Sequence, residues 1–391
     1  MRNQSVLISG ASIAGPALAY WLTHYGFDVT VVERAPELRP GGQAVDFKGA
    51  THRTVLERMG IWEAIQERRT GTTDTVFVDT DGKRIGFISG DFTGGDVEIL
   101  RGDLARILYD RTSTTCDYRF GDAIAALTET TDGVQVEFEH GAPRTFDLVI
   151  GADGIHSRVR RLAFGPEADY VRHLGHYYCV AGASPWQDGP RERRTSHGFN
   201  APGRLAISGG AKAQQMYMFS APELDYDRGD LDAQRRIVAE RFAGLGWEVP
   251  RMLAELPGFE DFYLDSLSQV RMRGYTKGRV ALVGDSAYGN TLGGFGTGLA
   301  VVGAYVLAGE LALADSDHAV AYARYDEIMR RYAKIAGNAN AGKLLAPRTA
   351  RGIRMRNWFV SGRLFALMAK IGDNAANDID LRDYPELTRT R

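Results

Sequence analysis

A strand, a glycine turn, a helix, a second strand and an acid follow one another between Val6 and Glu33, and few folds accommodate that order. Val6-Leu7-Ile8 is a short apolar run of the kind buried on both faces of a sheet. Gly10-Ala11-Ser12-Ile13-Ala14-Gly15 follows at once. Residues 16–25 then have helical character, with Ala17, Leu18, Trp21 and Leu22 offering apolar surface, and Gly26 stands where a helix stops. Residues 29–32 are β-branched and lead into Glu33. This is the order of a βαβ unit that binds a dinucleotide. Gly10 permits the tight turn and Gly15 lets the helix pack close to the strand. The pyrophosphate sits on the helix N-terminus at Gly10, Ser12, Ala14 and Gly15, and Glu33 takes a ribose hydroxyl. Ser12 stands where the middle glycine is expected; its side chain narrows the approach but can donate a hydrogen bond to phosphate. An acid at 33 suits an unphosphorylated ribose, which favours the adenosine of FAD or NAD over NADP as resident ligand.

Composition excludes several alternatives. With 391 residues the chain is one large or two modest domains, and a formal charge of −2 carries no nucleic-acid footprint and no polybasic membrane anchor. Cys116 and Cys179 form no CxxC and read as reduced thiols in a cytoplasmic setting, and no signal peptide is read ahead of the first strand. The most apolar run, residues 298–314, is short for a membrane span and carries Glu310. A buried helix is expected there, with no stable membrane association. No metal site is expected.

Two further glycine-acid clusters repeat the first. Leu148-Val149-Ile150 runs into Gly151-Ala-Asp-Gly-Ile-His-Ser-Arg-Val-Arg160. Asp153 at that helix start can accept backbone N–H groups or a ribose hydroxyl; Arg158, Arg160 and Arg161 make this end locally basic, and His156 is expected to orient backbone or face solvent. Residues 278–287 deliver Asp285, and a glycine-dense loop, 288–298, leads into the apolar helix. Such a loop lets backbone approach a ligand closely. Elsewhere, the 35–50 loop (Pro36, Pro40, Gly41, Gly42) offers Gln43, Ala44 and Asp46 as cofactor contacts. Helices are expected from Thr51 to about Met59 and from Trp62 to Arg68. A hairpin turning at Asp81-Gly82 within 74–100 belongs to a second sheet. Arg101 opens another helix, its charge aimed at phosphate or flavin.

Residues 171–274 alternate as aromatic-rich strands and carry helices near 230–245 and 250–256. By location alone Arg194, His197, Arg204, Met216, Met218 and Phe219 are substrate-pocket candidates. Residues 320–371 read as helices, with Trp358, Phe359, Leu364, Phe365 and Met368 as a packing stripe. The expected fold is α/β. A discontinuous Rossmann-like FAD-binding domain (1–73, 101–170, 275–340) is interleaved with a mostly antiparallel β-sheet substrate domain (74–100, 171–274). A C-terminal helical segment and tail (341–391) follow.

Together GASIAG with Glu33, GADGIHSRVR, and GDSA followed by a glycine loop resemble the class A flavoprotein monooxygenases, the group of the para-hydroxybenzoate-hydroxylase-like aromatic hydroxylases and the tetracycline-inactivating monooxygenases. The resemblance covers nearly the whole chain. It implies that Gly10, Ser12, Gly15 and Glu33, with Arg34 beside them, hold the ADP half of FAD. It places Arg101 on FAD, Asp285 at the ribityl or pyrophosphate part, and the backbone N–H groups of Gly296, Thr297 and Gly298 at the flavin pyrimidine edge, where a helix N-terminus favours the reduced anion. It further implies NADPH or NADH as a transient reductant, O2 and a bulky aromatic or polyketide-like small molecule as substrates, and a flavin C4a-hydroperoxide as the oxygen donor. The protein would be a monomer or homodimer. Three positions depart from the family pattern: Tyr288 replaces its histidine, residues 291–294 replace its proline loop, and Gly298 replaces its final asparagine. These departures keep two rivals open: a cyclase or isomerase with non-redox FAD, and a non-catalytic small-molecule binder. A disulfide reductase is disfavoured, since there is one complete fingerprint and no CxxxxC, and a plain NAD dehydrogenase rests on Rossmann analogy alone.

Overall fold

A computed structural model describes residues 5–39, 42–90, 95–183, 194–210, 213–293, 295–336, 340–362 and 381–384. Pro40, Gly41, Gly294, Leu364, Phe365 and Met368 lie outside the described residues.

The central sheet is built from apolar runs. β1 (Ser5–Ser9) lies between β2 (Asp28–Glu33) and β11 (Leu148–Gly151); β7 (Asp117–Phe120) flanks β2, and β18 (Val280–Leu282) flanks β11. These five strands are parallel, and β17 (Thr276–Lys277) closes the edge antiparallel. Val6, Leu7, Ile8, Leu148, Val149 and Ile150 have no exposed surface, as expected for strands covered on both faces. Helix Ala14–His24 covers one face, and helix Gly296–Leu313 packs on that helix. The latter is long and apolar enough to cross a membrane by length and composition, yet 78% of it is buried inside the protein. Its Glu310 is fully buried and accepts from Arg382 Nη1 at 2.9 Å and Tyr384 Oη at 2.8 Å, which ties residues 381–384 to the core.

The second sheet has seven strands in the order β16 (Phe262–Val270), β12 (Val171–Ala181), β15 (Gln215–Ser220), β14 (Arg204–Ser208), β13 (Arg194–Ala201), β4 (Thr73–Val78), β5 (Arg84–Ile88). All its pairs are antiparallel except β13 with β4. Strand alternation gives it two faces. Tyr177, Cys179, Phe199, Tyr217, Phe219 and Leu264 pack against Val238, Phe242 and Met252 of helices Leu231–Phe242 and Val249–Glu255. Phe77, Ile88, Tyr178, Val180, Leu205 and Met218 lie on the other face with Ala346 and Val360, the latter on helix Ala350–Val360.

Two smaller sheets complete the fold: β10 (Arg144–Phe146), β9 (Val134–Phe138) and β8 (Ile124–Glu129), and the pair β3 (Ala44–Phe47) with β6 (Val97–Leu100). β6 therefore leaves the second sheet to which residues 74–100 were expected to belong as a block. Its Leu100 pairs with Ala44, and the pairing hands the chain directly to Arg101 at a helix start.

Candidate functional site

All three glycine-acid clusters lie side by side at one edge of the central sheet. In register, Ser9 neighbours Gly151 and Gly151 neighbours Leu282, so each strand ends where its cluster begins. Backbone bonds stitch the ends together: Gly10 N to Val32 O (2.8 Å), Ala152 N to Ser9 O (2.8 Å) and Val283 N to Gly151 O (2.9 Å). The chain leaves β1 toward β2 on one side and meets β11 on the other, so this edge is a topological switch point, where such sheets bind ligands.

Close approach explains the glycines. Gly10 has φ +109°, and a Cβ there would stand 2.5 Å from the Ala152 carbonyl oxygen; a Cβ on Gly15 would overlap the Gly10 carbonyl oxygen. Gly284 has φ +68°, and a Cβ on it would come within 2.9 Å of Ala14 Cβ, so the third cluster packs on the start of the first helix. Glu33 accepts from Ala11 N and Ala35 N, both at 2.9 Å, which holds the turn against the end of β2. Each carboxylate oxygen keeps acceptor capacity for a ribose hydroxyl. Arg34 beside it is exposed.

Arg101 reaches into the same cleft. Its backbone N–H donates to Gln43 O at 3.1 Å, and its Nε and Nη2 donate to Ser12 Oγ at 3.1 and 3.0 Å. Ser12 accepts from Arg101 here, leaving its own hydroxyl proton to donate. Asp285 opens onto the cleft although Val283, Gly284, Ser286 and Ala287 around it are buried. The enclosing protein raises its carboxyl above the usual range, and the nearby Arg101 charge opposes that shift. Gly296 faces it; a Cβ there would lie 3.8 Å from Asp285 Oδ1. Gly296, Thr297 and Gly298 form the first turn of the long helix, whose N-cap Phe295 is left-handed (φ 63°). Among the described residues the first bond into the helix runs from Leu299 N to Phe295 O at 2.8 Å, and the amides of 296–298 stand in the first turn, where a helix start leaves donors over.

Asp153 accepts backbone N–H groups, the first of its two expected roles. It accepts from Ser157 Oγ (2.5 Å), Arg158 N (2.7 Å) and Val159 N (3.1 Å), capping helix Arg158–Ala163. The fully buried Arg160 donates to Ser286 O (2.9 Å) and Ile155 O (2.6 Å), joining the second cluster to the third. Tyr288 turns into the core, its hydroxyl donating to Leu299 O at 3.3 Å. The loop beyond it is anchored by backbone bonds to β16, Val270 N to Gly289 O (2.8 Å) and Thr291 N to Ser268 O (3.0 Å).

The pocket candidates divide by sheet face. Met216 and Met218 lie on the Tyr178 face, with Met218 fully buried, and Arg194 shares the parity of Gly198, whose side-chain space borders Phe77 and Leu205. Three candidates lie on the opposite face. Phe219 packs on Tyr177 and Phe242 in the opposite layer. Arg204 pairs with Phe219 and donates to Arg241 O at 3.0 Å on that same side, and His197, sharing the parity of Phe199, is exposed there. Period-2 alternation sends these side chains to the face opposite Tyr178.

Several groups on the site were not anticipated. Tyr178 and Tyr263 stand with ring centroids 5.8 Å apart and feel the Arg101 charge, which places them where the second sheet meets the cleft. Tyr263 Oη donates to Asp265 Oδ2 at 2.8 Å. His156 neither orients backbone nor simply faces solvent: its Nδ1 lies 2.9 Å from Glu167 Oε1 and its Nε2 3.1 Å from Asp265 Oδ1. Burial alone would lower its pKa, but the two carboxylates outweigh it and raise it. His52, considered only as part of a helix, is buried against Gly298. No local signal in the sequence marks these pairings. Among the described residues no group of His, Cys, Asp and Glu side chains could hold a metal ion.

The arrangement fits FAD. A run of groups linked by these contacts goes from Glu33 past Ser12, Arg101 and Asp285 to the helix start at 296–298, and it has in turn an acceptor suited to a ribose hydroxyl, donors suited to phosphate and a positive helix end. A mononucleotide leaves one end of it unused.

Comparisons with known proteins agree with this geometry. Residues 3–334 match the family model described as FAD binding domain. An uncharacterised protein of Mycobacterium tuberculosis is 42% identical over 331 residues, 82% of this chain and 88% of that one. A flavin-dependent monooxygenase of Legionella longbeachae is 37% identical over 343 residues, 85% of this chain and 86% of that one. The crystal structure of tetracycline destructase Tet(51) superposes with a TM-score of 0.83 at 31% identity, covering 98% of this chain and all of that one (100%).

Proposed function

The chain belongs to the FAD binding domain family and is a flavin-dependent monooxygenase, and from that premise we propose that it uses NADPH or NADH to oxygenate a bulky aromatic or polyketide-like small molecule. The observation that carries this reading is the convergence of three glycine-acid clusters on one sheet edge beside the aromatic face of the second sheet.

In this reading Glu33 and Arg34 hold the adenosine end. Gly10, Ser12, Ala14, Gly15, Arg101 and Asp285 hold the pyrophosphate and ribityl chain. Gln43 and the amides of Gly296, Thr297 and Gly298 face the flavin pyrimidine edge, and Asp153 keeps the second cluster in shape. FAD, when bound, supplies the electron transfer and oxygen activation. The chain's part is to bind, orient and exclude water. The Arg101 guanidinium offsets phosphate charge, and the Asp285 carboxylate accepts from a ribityl hydroxyl. Arg194, Met216, Tyr178 and Tyr263 line the substrate side, with apolar area for a ring system and hydroxyls for its polar edge. Residues 1–73, 101–170 and 275–340 form the cofactor domain and 74–100 with 171–274 the substrate domain, β6 excepted. The protein works in the cytoplasm as a monomer or homodimer, and the nicotinamide cofactor docks transiently.

The test is a coupled assay on FAD-loaded protein. Oxygen uptake driven by NADPH or NADH should rise when a tetracycline or another polycyclic phenol is added. A panel of such compounds that all bind yet leave oxygen uptake and product unchanged refutes the substrate class.

A further inference from the structure

Helix Gly296–Leu313 begins with a gap that another element fills. Gly298 has no side chain, and a Cβ on it would overlap the His52 ring at Cε1, Nε2 and Nδ1 together. The imidazole of His52, on helix Ala50–Arg58, thus occupies the side-chain space of position 298. The ring is 2% exposed and stands edge-on to Phe47 at 6.3 Å between centroids.

Its hydrogen bonds define its state. Nδ1 accepts from Lys48 N at 3.2 Å, so in the neutral ring the proton resides on Nε2. That Nε2–H is buried and has no partner among the described residues. A buried donor left unsatisfied is costly, and one standing at a helix start points to an acceptor that arrives with a ligand. Burial lowers the His52 pKa to about 4, with Asp96 opposing, which keeps the ring neutral beside the partial positive charge of the helix end.

We propose that His52 is a flavin-positioning residue. From the neighbouring helix it supplies the side chain that Gly298 lacks, and its neutral Nε2–H joins the amides of 296–298 in meeting the electron-rich pyrimidine edge of bound flavin. Lys48 N holds the ring from behind, so the 44–49 segment and the first turn of the long helix are set at one distance from each other. The donor contributes most when that edge gains charge on reduction, so it favours reduced over oxidised flavin. This rests on the flavin seat proposed above.

Two measurements test it. In apoprotein carrying 15N-labelled histidine and backbone amides, titration with FAD is expected to shift the His52 Nε2–H and the amides of 296–298 together. Unmoved amides overturn the seat; moving amides with an unmoved Nε2–H overturn the role of His52. Reconstituted His52→Leu should lose about tenfold in its preference for reduced over oxidised flavin, about 30 mV for a two-electron couple. Gly298→Asn alone should fail to take up FAD, because its side chain collides with the ring. His52→Ala with Gly298→Asn should recover uptake, since the new side chain enters the vacated space. A wild-type potential in His52→Leu, or a double variant no better than Gly298→Asn, overturns the proposal. If His52→Leu does not fold, the titration of wild-type protein still decides.

Discussion

Replacing Gly10 with alanine attacks the contact between the first and second clusters. The added Cβ meets the Ala152 carbonyl oxygen at 2.5 Å and its carbon at 2.9 Å, against an ordinary contact of 3.4 Å or more. Both partners are backbone, so relief needs β1 and β11 to part by roughly 0.9 Å, the shortfall from 3.4 Å. That movement strains the Ala152 N to Ser9 O bond. Alanine must also hold φ +109°, at a cost of about 1–3 kcal/mol. Overpacking adds about 1–3 kcal/mol, so the apoprotein should lose about 2–6 kcal/mol in urea unfolding. FAD affinity should fall about 10- to 100-fold, because a pyrophosphate hydrogen bond of about 1.5–3 kcal/mol loses its geometry. Gly82→Ala is the control: that glycine has φ +79° in the distal hairpin with nothing within 4 Å of the added atom. It should show the backbone strain alone and bind FAD normally. If Gly10→Ala matches Gly82→Ala in both stability and FAD affinity, the close-approach argument is wrong.

Arg101→Gln should weaken FAD binding about 10- to 100-fold, read by flavin fluorescence, since charge-assisted bonds to phosphate are worth about 1.5–3 kcal/mol; the exposed side chain should leave stability within about 0.5 kcal/mol. His52 predicts an acid-labile apoprotein. With the folded pKa at about 4 against 6.5, the unfolded chain binds the extra proton between those values, so stability falls as pH drops through that window. The groups facing the ring are the Lys48 amide, Asp96 and the start of helix Gly296–Leu313. Urea unfolding at pH values above and within the window should show a loss of up to about 3 kcal/mol that His52→Gln removes; an equal loss in the variant contradicts the assignment. Tyr384→Phe should cost about 1–3 kcal/mol in thermal or urea unfolding, because the buried Glu310 carboxylate loses a donor, and should leave FAD affinity unchanged. Phe219→Ala should cost about 3–5 kcal/mol without altering substrate preference, whereas Met216→Ala should alter KM with a smaller stability loss.

Much of the cofactor site was legible because its determinants are local. Gly10, Gly15 and Glu33 work through a turn, a helix start and a strand end that lie within one supersecondary unit, and GADG and GDSA repeat the same strand-to-turn logic. Their convergence follows from parallel strands whose C-terminal ends share one edge. The substrate side was less legible. Aromatic alternation announces a sheet but not which face meets the cofactor, and one residue of register exchanges the faces. Arg204, His197 and Phe219 face one layer of the second sheet and Met216 and Arg194 the other for that reason. Long-range partnerships left no local trace: β6 pairs with β3 across 53 residues of sequence on average, His156 finds Asp265, and His52 finds Gly298. Gly298 was noted as a departure, but the side chain that answers it could be found only once the two helices were packed together.

The central claim is that three separated clusters hold one continuous FAD. It is tested most directly by titrating the apoprotein with FAD, with ADP and with FMN under the same conditions. If the groove from Glu33 to Gly298 is one site, FAD binds one per chain and far more tightly than either fragment, and both fragments compete with it. If ADP binds as tightly as FAD, and FMN does not compete, the helix start at Gly296–Gly298 is no part of the site and the account fails at its flavin end.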